Sequence, residues 1–279
     1  MKFDMGRAWS DTIEILTKNF GLIATVLGLF YFLPSFAISI LFPEIVNAQP
    51  PEAPPGTDPA IVFENLREFV IDSWAQSWPL FVVTTLLQYV GAIAVLALFR
   101  PDGQPTVGEA LKIGAIGTPT YFATGIITAI AAGIVIGAPL GIGFAITPIV
   151  GVLLIIPAII AIVYITVKLI LIPAVIGMEG TLNPIQVMLR SWRLTKGNSV
   201  RIFLFLLTLT IVAGLIYVLI IGVLTTVLAV MGDTVATIGG GFVTSLAGAI
   251  FGGLFLVVIG AIYLQLTAEP AAQEVETFE

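Results

Sequence analysis

The sequence predicts an all-α, polytopic integral membrane protein with about six transmembrane helices. Hydrophobic residues make up 58% of the 279 residues and charged residues only 10%, whereas a soluble domain carries about 25% charged residues. A water-soluble globule of this length cannot hide so much apolar surface, so lipid must be the solvent for most of it. Six apolar runs each reach the ~20 residues that a helix needs to cross a hydrocarbon core of ~30 Å.

The six predicted spans belong to a single transmembrane domain, residues 1–267, and residues 268–279 are predicted to form an acidic cytoplasmic tail. The Gly- and Pro-rich stretch Gly133–Pro157 is where a re-entrant segment would replace a full crossing. The predicted spans are Phe20–Phe42, Pro79–Phe99, Gly117–Gly137, Pro148–Ile176, Ile202–Met231 and Phe242–Thr267.

The distribution of basic residues predicts the orientation. With six spans, one side holds nine Lys and Arg residues and the other holds only Arg67. Because basic loops stay cytoplasmic, both termini are predicted to be cytoplasmic, in a multi-pass protein of the cell inner (plasma) membrane. The nine are Lys2, Arg7, Lys18, Arg100, Lys112, Arg190, Arg193, Lys196 and Arg201.

The loop Pro43–Trp78 is therefore predicted to be external. It begins with a Pro-rich stretch that favours extended chain, and Ile61–Trp74 is predicted to form a short amphipathic helix before the second span. The first span, followed by Val46-Asn47-Ala48, also has the general form of a cleavable signal peptide. Its apolar run is longer than the 7–15 residues typical of such peptides, which favours an uncleaved first span.

Short similar segments precede several spans. Leu16-Thr17-Lys18-Asn19 leads into the first span, and Leu194-Thr195-Lys196-Gly197-Asn198 leads into the fifth, each with a Trp nearby. A weaker copy, Thr106–Lys112, precedes the third span. We therefore expect three repeats of an interfacial helix followed by a helical hairpin, although any helix at the inner leaflet would select Trp and Lys without duplication.

The segment around the fifth-span copy carries a family resemblance. Glu179-Gly180, Pro184-Ile185-Gln186, Arg190–Asn198 and Arg201-Ile202-Phe203 resemble the membrane-domain family associated with glycerophosphoryl diester phosphodiesterases. The resemblance implies six or so spans and, in stand-alone members, no assigned function. In some relatives the domain is fused to a phosphodiesterase whose metal-dependent chemistry uses histidines and acids. This chain has no histidine, and residues 267–279 are expected to leave no room for such a domain, so that activity is not carried over.

Other chemistry finds little support in the sequence. The chain has no cysteine and no histidine, which removes thiol chemistry and the commonest general base and metal ligand. We therefore expect no enzymatic activity, no cofactor, no metal and no nucleic-acid partner. Two stripes of small residues at four-residue spacing, Gly125 to Gly137 and Gly241 to Gly253, are typical of close helix–helix packing and less often of a substrate path.

Lys168 is a candidate functional residue, because it is a charged side chain inside the fourth apolar run. A charge at the bilayer centre costs at least ~2.5 kcal/mol. Either Lys168 snorkels to the inner surface, or it faces a cytoplasm-open cavity and pairs with Glu179, Glu109 or a lipid phosphate. The basic segment that follows is expected to form an amphipathic helix, Met188–Arg201. The candidate lipid-headgroup residues are Lys168, Glu179, Arg190, Trp192, Arg193, Lys196 and Arg201.

Three classes of function remain open from the sequence. The first is a non-enzymatic membrane protein that binds or organises phospholipids through its basic cytoplasmic face. The second is a transporter or lipid-moving protein with a cavity near Lys168. The third is a structural or accessory subunit, with protein partners or a second copy held through the small-residue helix faces.

Overall fold

The structure, a computed structural model, describes residues 2–46, 48–100, 103 and 105–268. Its regular elements in this part of the chain are helices, as the sequence predicts, and six of them are long and apolar enough to cross a membrane. A seventh, shorter helix lies between the fourth and fifth of these. In chain order these seven helices are α1 (Met5–Leu41), α2 (Pro59–Ala97), α3 (Val107–Ile146), α4 (Pro148–Glu179), α5 (Pro184–Thr195), α6 (Ser199–Val230) and α7 (Asp233–Thr267). A single helical turn, Pro43–Val46, lies between α1 and α2.

The helices extend beyond the apolar runs that were predicted as spans. The external amphipathic helix expected at Ile61–Trp74 is not separate, because α2 runs unbroken from Pro59 through Pro79 into the second span. The amphipathic helix expected at Met188–Arg201 instead ends at Thr195, and α6 begins at Ser199. The proposed acidic tail beyond Ala268 lies outside the described residues.

The stretch Gly133–Pro157 contains the end of α3, a break at Thr147 and the beginning of α4. After a π-helical turn at Gly133–Gly137, α3 continues to Ile146, and α4 starts at Pro148. Thr147 caps α4 by accepting a hydrogen bond from the Val150 amide at 3.2 Å. Proline suits the first helical turn because its missing amide has no partner there in any case.

Most of the packed core lies at one end of the bundle, which we call the basic end. It is the end that carries residues 2–4, residue 100, residues 180–198 and residue 268. In α2 the buried residues are Gly91–Ala97, near this end. In α4, residues Leu171–Met178 are all buried, whereas Gly151 is the buried position among Pro148–Thr166. The opposite halves of the helices expose their aliphatic side chains, as expected for surfaces that face lipid.

Glycines let the helices approach closely at the basic end. A Cβ on Gly114 of α3 would overlap the backbone carbonyl oxygen of Val90 in α2, and one on Gly177 would lie 2.8 Å from the Ile93 carbonyl oxygen. The Gly241 to Gly253 stripe also packs, against Ser39 and Leu27 of α1. The Gly125 to Gly137 stripe is not buried against the described residues, since all four of its members are exposed.

The amino-terminal residues are held in a cradle formed by α6 and α7. The Phe3 amide donates a hydrogen bond to Asn198 Oδ1 at 2.9 Å, and Arg201 Nη1 donates to the Phe3 carbonyl at 3.4 Å. Gln265 binds the Asp4 backbone at both its amide and its carbonyl, at 3.4 and 3.2 Å. The Phe3 ring is 2% exposed and packs edge-on against Phe205, with 5.7 Å between ring centroids.

Two of the three similar segments share local geometry. Asn19 and Asn198 have nearly the same backbone angles, φ −116° and ψ 17° against φ −117° and ψ 0°. The hydroxyls of Thr17 and Thr195 each donate to the carbonyls three and four residues earlier. The third copy lies within α3, which has no such break. A threefold repeat of helix plus hairpin therefore stays a prediction.

Candidate functional site at the basic end

Two aromatic rings surround the ammonium group of Lys168. Tyr164 and Lys168 are four residues apart, which places them on the same face of α4. Trp192 approaches from α5, with its ring 5.7 Å from that of Tyr164 in an edge-to-face arrangement. Lys168 Nζ lies 5.5 Å from each ring centroid, within the range of a cation–π contact. Lys168 as a whole is 3% exposed.

Local structure explains how α5 presents Trp192. Asn183 caps the helix by accepting hydrogen bonds from the Ile185 and Gln186 amides, both at 3.1 Å. The helix is tied to α4 by Ser191, whose hydroxyl donates to the Lys168 carbonyl at 2.7 Å. Gly197 then takes a positive φ of 83°, which turns the chain into α6. Lys196 is held at this turn, within electrostatic reach of Lys168.

Neither carboxylate that the sequence offered to Lys168 is paired with it. Glu109 closes a capping box with Thr106 at the start of α3. Glu179 Oε1 accepts hydrogen bonds from Arg190 Nε at 2.8 Å and from the Tyr263 hydroxyl at 2.7 Å. Within the described part of the chain, the ion pairs do not include Lys168.

The ion pair between Glu179 and Arg190 connects several helices. It joins the end of α4 to α5, and through Tyr263 it also reaches α7. Hydrogen bonding to the Glu179 carboxylate raises the pKa of Arg190 above its ordinary value, so the guanidinium stays charged. Near this ion pair, Arg100 Nε donates a hydrogen bond to the Gly177 carbonyl at 2.8 Å. This bond attaches the segment that follows α2 to the end of α4.

The other predicted headgroup residues are placed differently. Arg193 is exposed on α5, where its Nε donates to the Leu189 carbonyl at 3.3 Å. Arg201 belongs to the cradle around Phe3. The structure thus brings together Lys168, Tyr164 and Trp192, with Lys196 within electrostatic reach of Lys168. By contrast, Arg190 and Glu179 bind each other.

Two apolar grooves flank Trp192 and Tyr164. The first, about 450 Å³, lies between α4 and α6, and its lining includes Ile160, Val163, Tyr164, Val200 and Phe203. The second, about 250 Å³, lies between α3, α4 and α5, and its lining includes Ala132, Val135, Leu169, Met188 and Trp192. Together they border the aromatic–lysine cluster, by which we mean Tyr164, Lys168, Trp192 and Lys196.

The sequence indicated Lys168 and Trp192 but missed Tyr164 and Ser191. The signal for Tyr164 was its position four residues before Lys168, a spacing that Trp192 and Lys196 repeat. The described residues contain no group of three or more His, Cys, Asp or Glu side chains that could hold a metal ion.

Comparison with known proteins yields no relative: no protein-family model, no curated protein and no solved structure matches this chain.

Proposed function

We propose that this chain is a non-enzymatic integral membrane protein that binds an anionic phospholipid at its basic end. The proposal rests on Lys168, a residue that is 3% exposed overall and that lacks a carboxylate partner among the described residues. The two rings contribute roughly 0.5–2 kcal/mol as cation–π partners. They bring no negative charge, and a lipid phosphate would supply it.

The charges around the cluster favour an anionic headgroup. Lys196 lies close enough to Lys168 for the two ammonium groups to repel each other. A phosphate between them converts that repulsion into two attractions. A base near an anionic membrane surface contributes on the order of 1 kcal/mol. Glu179, the nearby acid on α4, is already bound by Arg190 and Tyr263.

The grooves favour a lipid over a water-soluble substrate. A path for a polar solute to Lys168 would need polar walls, but both grooves are lined almost entirely by aliphatic and aromatic side chains. Acyl chains suit such walls because hydrocarbon contacts leave no polar group unpaired. This observation ranks the lipid-binding function above a transporter with a cavity at Lys168.

The proposal gives the predicted residues separate roles. Lys168 and Lys196 hold the phosphate, Trp192 and Tyr164 pack against the headgroup and upper chains, and Arg193 attracts other anionic headgroups. Arg190, Glu179 and Arg201 stabilise the fold. For a protein partner or a second copy, the proposed contact surface is the exposed Gly125 to Gly137 face of α3. The resemblance to the phosphodiesterase-associated membrane domains stays a sequence-based expectation.

The first test replaces Lys168 with methionine, which keeps the length and apolar stem but removes the charge. We expect Lys168→Met to weaken binding of phosphatidylglycerol by about tenfold or more, since loss of a charged contact is worth about 1.4 kcal/mol or more. Binding is measured by native mass spectrometry of the full chain in detergent, titrated with phosphatidylglycerol or with phosphatidylcholine. Lys112→Met, at an exposed lysine near the same end of the bundle, is the matched control.

Three results would decide the case. Selective loss in Lys168→Met, with Lys112→Met like the wild type, supports the site. Equal phosphatidylglycerol binding by all three proteins would contradict it. Trp192→Leu checks the site without changing a charge. It should weaken binding of both lipids, because it removes a ring that lines the second groove.

The orientation is a separate prediction. We expect the basic end to face the cytoplasm, because nine basic residues lie on that side against one on the other. A single cysteine at Glu52, in the exposed loop, should react with a membrane-impermeant thiol reagent in intact cells whose outer barrier is permeabilised. A cysteine at Gln186, exposed on α5, should react only after lysis. The reverse pattern would overturn the assignment.

A further inference from the structure

A polar crevice lies at the opposite end of the bundle from Lys168. It has a volume of about 570 Å³ and is formed by the outer part of α1, the end of α6 and the beginning of α7. Its walls include six hydroxyl side chains, together with Gly240, Gly241 and Gly248. The hydroxyls belong to Ser35, Ser39, Thr225, Thr237, Thr244 and Ser245.

Most of these hydroxyls are not used by the fold. Ser39 and Thr225 donate to their own helix backbone, at 2.8 and 2.7 Å. In the described part of the chain, the side-chain hydroxyls of Ser35, Thr237, Thr244 and Ser245 have no hydrogen-bond partner. Ser245 is only 7% exposed, and it lines the crevice. A hydroxyl can donate one hydrogen bond and accept others, so these four groups are available to an occupant.

The glycines keep the crevice open. A Cβ on Gly240 or Gly248 would meet no atom within 4 Å, so these positions border empty space. Gly241 differs, because a Cβ there would overlap Ser39 Oγ. The crevice therefore lies along one side of α7. Gly241 and Ser245, which line it, also belong to the Gly241 to Gly253 stripe that packs against α1.

The chemistry of the walls selects the occupant. Among the described residues, the lining contains no charged side chain. An ion entering the crevice would therefore lose its hydration without gaining a counter-charge from them. A hydrocarbon chain would offer these four hydroxyls no hydrogen-bond partner, which costs about 1–3 kcal/mol for a buried group such as Ser245. An uncharged group with several hydroxyls satisfies both conditions, because it can donate to and accept from the walls.

We infer that this crevice binds an uncharged polyhydroxylated group, namely a sugar, which arrives either free or as the headgroup of a glycolipid. The volume is within the range of about 300–1,000 Å³ typical of small-molecule sites. The position at the end of the bundle opposite the basic end makes the crevice independent of the phospholipid site proposed above.

The experiment uses the full chain in detergent and native mass spectrometry, with three probes: monoglucosyl diacylglycerol, glucose and diacylglycerol. The filling variant is Gly248→Leu, and its matched control is Gly222→Leu, at an exposed glycine of α6 that is also free of neighbours within 4 Å. We expect the wild type and Gly222→Leu to bind a sugar-bearing probe at least about tenfold more tightly than Gly248→Leu, a difference of about 1.4 kcal/mol.

The probes separate the two sources of the sugar. Binding of glucose supports a free sugar, whereas binding of the glucolipid without glucose supports a headgroup. Thr244→Val, which removes a hydroxyl without filling the crevice, should also weaken binding, so the inference does not depend on the folding of one variant. Equal affinity for diacylglycerol and the glucolipid, or equal binding by the two leucine variants, would overturn it. Disulfide-linked dimers of Thr244→Cys would also overturn it, because a helix of a second copy would then fill the crevice.

Discussion

Gly114→Ala is expected to lower the free energy of unfolding by about 1–3 kcal/mol, the usual cost of adding a methyl group to a packed core. The new Cβ would overlap the Val90 carbonyl oxygen in α2 and would also lie 3.3 Å from the Ala94 Cβ. The first of these neighbours is backbone, which cannot rotate away, so α2 and α3 must separate. The measurement is chemical unfolding in mixed micelles, followed by tryptophan fluorescence.

Gly125→Ala on the same helix is the matched control. A Cβ at this position would meet only the Tyr89 hydroxyl, at 3.9 Å, which is an ordinary contact. Replacing a helical glycine with alanine favours the helix by roughly 0.5–1 kcal/mol, so we expect Gly125→Ala to be neutral or stabilising. If Gly114→Ala were as stable as Gly125→Ala, the close approach of α2 and α3 would be wrong.

The sequence predicted the class of fold because that class depends on composition. Six apolar runs of bilayer length require helices wherever lipid is the solvent, since each helix satisfies its own backbone hydrogen bonds. Helix ends were predicted less well, because hydropathy detects the apolar centre of a helix and not its polar extensions. Thus α2 begins at Pro59 and continues through the polar residues before the predicted start at Pro79, whereas α4 begins at Pro148, as predicted.

The candidate site was predicted only in part, because hydropathy identifies a charge in an apolar run but not the side chains that pack around it. Lys168 was recognisable because a charge in an apolar run is costly wherever the chain folds. Its partners were not recognisable, because they depend on how α5 packs against α4. The sequence offered Glu179 as a counter-charge for Lys168, but the fold brings Arg190 and Tyr263 to that carboxylate. Tertiary contacts of this kind follow from helix packing, which a hydropathy pattern does not contain.

The amino-terminal cradle was not predicted at all, and it supplies the second large expected effect. Terminal residues are usually poorly ordered unless they are tied down. Here four polar contacts and one buried ring hold Phe3 and Asp4 against α6 and α7. The polar partners are Asn198, Arg201 and Gln265, which are far from residue 3 in the sequence. The cradle therefore closes the basic end by joining the first helix to the last two.

Phe3→Ala is expected to lower the free energy of unfolding by about 3–5 kcal/mol, the range for removing a buried phenylalanine ring. The ring is 2% exposed and packs on Phe205, so its loss leaves a cavity where α1, α6 and α7 meet. Phe20→Ala is the matched control, because Phe20 is 69% exposed and its loss should change stability by less than about 0.5 kcal/mol. Both variants are compared with the wild type by unfolding in the same micelles. Equal stability of the two variants would mean that the amino terminus does not dock on α6 and α7, and the contacts of Asn198 and Gln265 with the backbone of Phe3 and Asp4 would then be incorrect.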